Sequence, residues 1–261
     1  MSGPGVVFLM YHELESPGRP LCQSESGYVR YILHKEDFES QLGDLRNSGW
    51  KGVSVSEAIR SFADKTVCIT FDDGCETDLL YAAPLLRERK FGATFYLTTG
   101  FLGKRGYLSH SQARELSNSG FEIGCHSMTH AYLSDLNERD LRREIAGAKD
   151  ELEQILGQRV EHFSCPGGRH NRMVSQVAQQ AGYRTVATSR IQVNLRTTDP
   201  LELGRVAVMR STSLPAFQNI CRGKDLWRMG LQVQLRSATR SLLGNSFYDR
   251  LRSAVLRDSL S

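Results

Sequence analysis

Two adjacent carboxylates, Asp72 and Asp73, follow the apolar run Thr66 to Phe71 and precede Gly74. Neighbouring acids repel, and strand propensity gives no reason for the pair. Alone, Asp-Asp-Gly is an ordinary polar turn. A metal cation gives the pair a purpose: one carboxylate binds it, and the other takes a proton from a water that the cation activates. His126-Ser-Met-Thr-His130 supplies two imidazoles. Placed on a helical turn, an i, i+4 pair points the same way. With Asp73 the set becomes two nitrogens and one oxygen with an open position, which suits a catalytic cation. Zinc fits that set, as do Co, Ni, Mn and Fe(II).

These residues need elements to bring them together. Val6 to Tyr11, Val53 to Val55, Thr66 to Phe71, Ala93 to Leu97, Phe121 to Cys125, Val160 to Ser164, Thr185 to Ala187 and Leu203 to Val208 read as strands. Helical spacing covers Asp37 to Ser48, Thr77 to Lys90, Ser109 to Ser119, Asn137 to Leu156 and Asn171 to Ala181. Ser56 reads as the N-cap of Glu57 to Phe62, and Glu15 to Leu33 as a long loop. Alternation of strand and helix predicts parallel β/α units, and the 261-residue length suits a (β/α) barrel. His12, the Asp pair, His126 and the Pro166-Gly167-Gly168 turn each follow a strand directly. In a barrel those ends share one face.

Apolar content of 40% and charged content of 24% place the chain among ordinary globular proteins. No apolar run reaches the roughly 18 to 20 residues of a spanning helix. The start lacks a basic n-region and reads as a first strand instead of a signal peptide, so a cytoplasmic location is expected. The six cysteines form no C-x-x-C and read as reduced, mostly buried thiols. Net charge is uneven. Residues 222–261 carry +5 and residues 1–221 carry −1.

Thr70-Phe-Asp-Asp-Gly74, His126-Ser-x-x-His130, Ser164-Cys-Pro-Gly-Gly168 and Ala181-Gly-Tyr183 together resemble the polysaccharide deacetylase family, the NodB-homology or carbohydrate esterase family 4 domain. Met10-Tyr-His12 and the segment from Phe38 to Val55 are similar to members from exopolysaccharide loci. The resemblance implies an α/β fold, a distorted (β/α) barrel, that removes acetyl groups from N- or O-acetylated sugars. It implies Asp72 as general base and Asp73, His126 and His130 as metal ligands. It implies the Gly167 N–H as an oxyanion donor.

Two positions depart from the family pattern. Ser164 stands where an arginine usually orients the base; nearby Arg169 reads as a solvated surface arginine, with substitution for the missing one as the alternative. No histidine follows His170, so the late histidine that usually supplies the general acid is missing. His12 is the first candidate for that acid and His170, whose ordinary reading is a solvated side chain, the second; Glu13 reads as an ordinary exposed acid, with help to His12 as the alternative. These departures motivate the rival readings: a weak or inactive glycan-binding relative, or a hydrolase of another sugar acyl group such as formyl. A two-carboxylate glycosidase is disfavoured, because its acids belong on separate elements.

The chain thus divides into a barrel over 1–221 and a basic amphipathic helical tail over 222–261. Helices packed on the barrel with a solvated basic face are the ordinary reading of that tail. Peripheral contact with an anionic inner-membrane surface is the alternative, and it would suit a lipid-linked glycan. The expected partner is an acetylated amino sugar or oligosaccharide serving surface-polysaccharide or O-antigen assembly. Nothing in the tail suggests nucleic acid.

Overall fold

The computed structural model describes residues 4–226 together with 229 and 230. Eight strands form one sheet: β1 (Val7–Tyr11), β2 (Lys51–Val53), β3 (Thr66–Phe71), β4 (Thr94–Leu97), β5 (Glu122–Cys125), β6 (His162–Ser164), β7 (Thr185–Ala187) and β8 (Val206–Ala207). The order is β8-β1-β3-β4-β5-β6-β7, with β2 also beside β3, and every pairing in it is parallel. Leu203 bridges in parallel to Ala187 of β7, and three residues later Val206 pairs with Leu9 of β1. One short segment therefore touches both the last and the first strand and closes the curled sheet into the expected distorted barrel.

The strands form because they are buried on both faces. All six residues of β3 and all five of β1 are buried, as a parallel sheet flanked by helices requires. Outside the barrel, Tyr11, Phe71 and Phe95 stack at centroid distances of 5.2 and 5.0 Å, and Phe38 and Phe121 meet them edge-on. A second cluster gathers Phe8, Cys68, Tyr96, Ala187 and Leu203. Each large side chain buried this way contributes about 1.5–3 kcal/mol.

The predicted strands and helices recur with ends shifted by a few residues. Val53 to Val55 is displaced: the strand is Lys51–Val53, and Val55 already begins a helix, Val55–Ser61. Its cap is Ser54 and not Ser56, because Ser54 and Glu57 form a reciprocal capping box. Ser56 instead bonds His162 Nε2 at 2.7 Å. Thr77 to Lys90 begins as a π turn, Asp78–Ala82, which hands over to Ala83–Glu88 where Pro84 lacks a donor. The helix read over Asn137 to Leu156 contains a π segment, Arg143–Gly147. Leu214–Cys221 is an additional helix, capped by Ser213. The loop after Glu15 contains one short helical turn, Ser26–Val29.

Residues 1–224 and 225–261 are two separate units. Apart from its first few positions, the amphipathic tail read over 222–261 lies outside the described residues. No helix among the described residues is long and apolar enough to cross a membrane.

Candidate active site

Backbone bonds continue past the strand ends and fix the residues that follow. Asp72 N–H donates to Tyr11 O (3.0 Å), His126 N–H to Leu97 O (2.8 Å) and Cys165 N–H to Ala187 O (3.0 Å). This brings Asp72, Asp73 and His126 to the C-terminal mouth of the barrel, where all three are almost wholly buried. Asp73 sits at φ +79°, and Ser127 and His130 at +66° and +62°. Non-glycine residues rarely adopt that region, and its concentration here marks a constrained site.

The histidine pair does not lie on a helical turn. Residues 126–132 are irregular because two positive φ angles break the helical path. Ser127 Oγ accepts from His130 N–H (3.0 Å). Glu144, on the π segment, accepts from Met128 N–H, Thr129 N–H and the Thr129 hydroxyl at 2.7–3.1 Å. One buried carboxylate thus holds the loop that bridges the two imidazoles, and their rings lie 5.1 Å apart. π turns often mark functional positions, and here one presents Glu144 to the loop.

His126 Nδ1 lies 2.9 Å from Ser164 O. A carbonyl only accepts, so Nδ1 carries the hydrogen and Nε2 presents its lone pair. That Nε2 is 3.6 Å from Asp73 Oδ1, and His130 Nε2 is 3.3 Å from the same oxygen. Asp73 Oδ1 is buried without a hydrogen-bond partner. The ligand atoms of Asp73, His126 and His130 all lie within 4.8 Å of one another. A divalent cation would satisfy the stranded oxygen, and the donor set suits it. Burial pushes His126 down to about 4, only partly countered by Asp72 and Asp73, which keeps a neutral imidazole available as a ligand.

Asp72 has a different environment. Arg205, fully buried, donates from Nη1 to Oδ1 (2.7 Å) and from Nη2 to Oδ2 (2.8 Å). The same guanidinium donates to Ser164 Oγ (2.7 Å), Thr70 Oγ1 (3.2 Å) and Thr188 O (3.2 Å). Burial pushes Asp72 upward, but the charge and hydrogen bonds of Arg205, with His126, hold it well below the usual carboxylate range. Asp72 is ionised, oriented and 3.7 Å from His126 Nε2.

Arg205 is the residue that sequence reasoning missed. The arginine expected at position 164 is supplied from the closing segment, and Ser164 completes the network. Arg169 does not substitute. It is partly exposed, pairs with Asp135 (3.4 Å) and lies 4.2 Å over the Tyr132 ring. The available signal was a charge inside the buried run Leu203 to Val208, which demands a buried counter-charge.

His12 follows β1 and packs on Tyr31 at 4.9 Å, with Nδ1 buried and unpartnered. Burial lowers its pKa, and Asp73, Asp72, Arg205 and His130 all act on it. It therefore lies near the site. Glu13 does not assist it, because its carboxylate turns to Cys22 N–H (3.0 Å). His170 is elsewhere, bonded to Ser175 Oγ at 2.6 Å. Gly167 has φ +59°, and a Cβ there would meet Tyr132 at 2.8 Å. The next two N–H groups are committed, Gly168 to Cys165 O and Arg169 to Pro166 O.

The family model for polysaccharide deacetylase matches residues 60–186, a span that holds Asp72, Asp73, His126, His130 and Gly167. Over that span the chain is similar to the polysaccharide deacetylase family. It is 27% identical to Bacillus subtilis YxkH over 80% of its own length and 73% of that protein. It is 34% identical to the peptidoglycan-N-acetylglucosamine deacetylase of Bacillus cereus, over 48% of this chain and 57% of that one. Among solved structures, IcaB from Ammonifex degensii superposes with a TM-score of 0.72 at 27% identity, covering 85% of this chain and 98% of IcaB. Arg205 lies outside the matched span, which explains why motif reading passed over it.

Proposed function

We propose that this protein is a polysaccharide deacetylase, a metal-dependent hydrolase that removes acetyl groups from N-acetylated, or O-acetylated, sugars of a bacterial surface polysaccharide. The observation that carries this reading is Asp73 Oδ1, buried and unpartnered between two imidazole nitrogens. Asp73, His126 and His130 would hold a divalent cation, zinc by the donor set, with Co, Ni, Mn or Fe as alternatives. Bound there, the cation would acidify a water and polarise the acetyl carbonyl.

Asp72 is the general base: it stays ionised under Arg205 and keeps its geometry through the bidentate bond. The Gly167 N–H is the oxyanion donor, in a turn only glycine tolerates. His12 carries the proton to the leaving amine, since an unprotonated amine leaves poorly. Arg205 also removes one motive for the inactive reading, because the base is braced despite Ser164. The substrate class is supported by the Bacillus cereus relative, whose name specifies N-acetylglucosamine. Lipid linkage, O-antigen assembly and a cytoplasmic site of action remain proposals attached to this one.

The test is acetate release from N-acetylglucosamine oligomers by chelator-treated protein before and after adding zinc, cobalt or nickel. Restored turnover in the wild type, with turnover roughly 10²–10⁴-fold lower in Asp72→Asn at unchanged metal content, is the expected result. Equal turnover with and without metal would refute the metal-dependent reading. Metal binding without turnover on any acetylated sugar would favour a glycan-binding protein.

A further inference from the structure

Gly74 separates two clusters of buried donors. Beyond it, Cys75 Sγ lies 3.5 Å from Cys22 Sγ, and the Glu13 carboxylate completes a group whose ligand atoms are all within 4.8 Å of one another. Glu13 and Cys75 are buried, and Cys22 is partly exposed. The three come from the end of β1, the loop after Glu15 and the turn after β3, so the fold assembles them from distant sequence. Local construction favours the Cys22 position. Gly106 has φ +88°, a Cβ on it would fall 2.9 Å from Cys22 Sγ, and its carbonyl accepts from that thiol at 3.0 Å.

Asp78 is the independent observation. It is fully buried, and neither carboxylate oxygen has a hydrogen-bond partner. The groups whose charge acts on it are Cys22, Asp73, Glu13 and Asp72, each anionic when charged, and burial with these neighbours raises its pKa well above normal. A buried carboxyl in such company is held neutral, and a cation placed beside it would give its two unpartnered oxygens a partner. Arg19 is the nearby basic residue, and its guanidinium is paired with Glu76 at the rim. A surface cavity lined by Arg19, Cys22, Glu76 and Arg105 gives access to the cluster.

The sulfur separation decides what the pair is suited to. A disulfide needs about 2.0 Å between sulfurs. Two thiolates on one tetrahedral cation, with bonds of about 2.3 Å, stand roughly 3.8 Å apart. The observed 3.5 Å is a contact between two free thiols, not a disulfide, and it leaves both sulfurs placed to reach one cation. We propose that Cys22, Cys75 and Glu13 form a second cation site, separate from Asp73, His126 and His130, for a thiophilic divalent cation such as zinc, with the Asp78 carboxyl beside it.

Binding exchanges the thiol protons for the cation and releases them to solvent. It ties the loop after Glu15 to the turn that carries Asp73. That loop also carries Tyr28, whose hydroxyl is 3.4 Å from Cys75 Sγ, and Tyr31, on which His12 rests. The second site is thus a clasp on the rim of the first.

The test is cadmium(II) titration of the full chain, stripped of metal under reducing conditions. Wild-type protein should show the ultraviolet thiolate-to-cadmium charge-transfer band and bind two equivalents of metal. Cys22→Ser and Cys75→Ser, each checked for native circular dichroism, should lose half or more of the band and one equivalent. His126→Ala should lose one equivalent and keep the band. Glu13→Gln keeps both sulfurs, so it should keep the band and bind at least about 10-fold more weakly. A wild type with no band, or a band unchanged in both cysteine variants, overturns the proposal. So does a Cys22–Cys75 disulfide found by thiol titration of protein purified without reductant.

Discussion

Asp72 and Asp78 lie on opposite sides of Gly74, both buried, and differ in everything that surrounds the carboxylate. Asp72 receives two guanidinium hydrogen bonds from Arg205 and faces His126. Asp78 receives none among the described residues and has anionic neighbours. Burial acts on both in the same direction, so the opposite shifts come from the neighbours: the charge and hydrogen bonds of Arg205 at Asp72, and groups of like charge at Asp78. The Asp72 side has a permanent cation within the chain. The Asp78 side has none among the described residues, and the proposed second cation would supply one.

The sharpest way to break this contrast is to remove the permanent cation. Arg205→Met strands the Asp72 charge and should cost about 3–5 kcal/mol in urea denaturation. It should also lower acetate release by two orders of magnitude or more, as loss of an oriented base does. Arg205→Lys should recover part of each, since a lysine cannot make the paired bond. A variant as stable as wild type would show that Asp72 is compensated some other way.

A third buried carboxylate calibrates the contrast. Glu122 is pushed up by burial, yet His162, Ser56 and Thr94 bring it down to about 2. Its folded pKa is depressed, so its stabilisation is complete above its unfolded value and disappears as pH falls from about 4.5 to about 2. The size is roughly 3 kcal/mol. Denaturation midpoints across that window should flatten in Glu122→Gln.

Smaller still is the effect of Glu144→Gln, which loosens the loop bearing His130. Metal affinity at Asp73, His126 and His130 should fall about 10–100-fold, read by competition with a chelator. The smallest change belongs to Asp78→Asn. Replacing a protonated carboxyl by an amide of the same shape should alter metal-free stability by under about 1 kcal/mol. A loss comparable to that of Arg205→Met would mean Asp78 has a counter-charge after all.

The clustering of Asp73, His126 and His130 was legible because each follows a strand within one short motif, where spacing survives translation into space. Thr66–Phe71 matched its predicted strand for the same reason, since burial on both faces leaves an uninterrupted apolar run. Partners fixed only by closure of the sheet were not legible. Arg205 reaches Asp72 across 133 positions, and Cys22 reaches Cys75 across 53. The histidine pair was rightly grouped but given a helical turn. Positive φ at Ser127 and His130, held by Glu144, has no periodic trace in the sequence.

Because Arg205 lies between Leu203, docked on the last strand, and Val206, docked on the first, it arrives at Asp72 only as those two edges join. A nascent chain that has emerged only as far as β6 would already carry Asp72 and both imidazoles, but not the charge that Asp72 needs once it is buried. On the proposed reading, competence is withheld until the final seam is sewn.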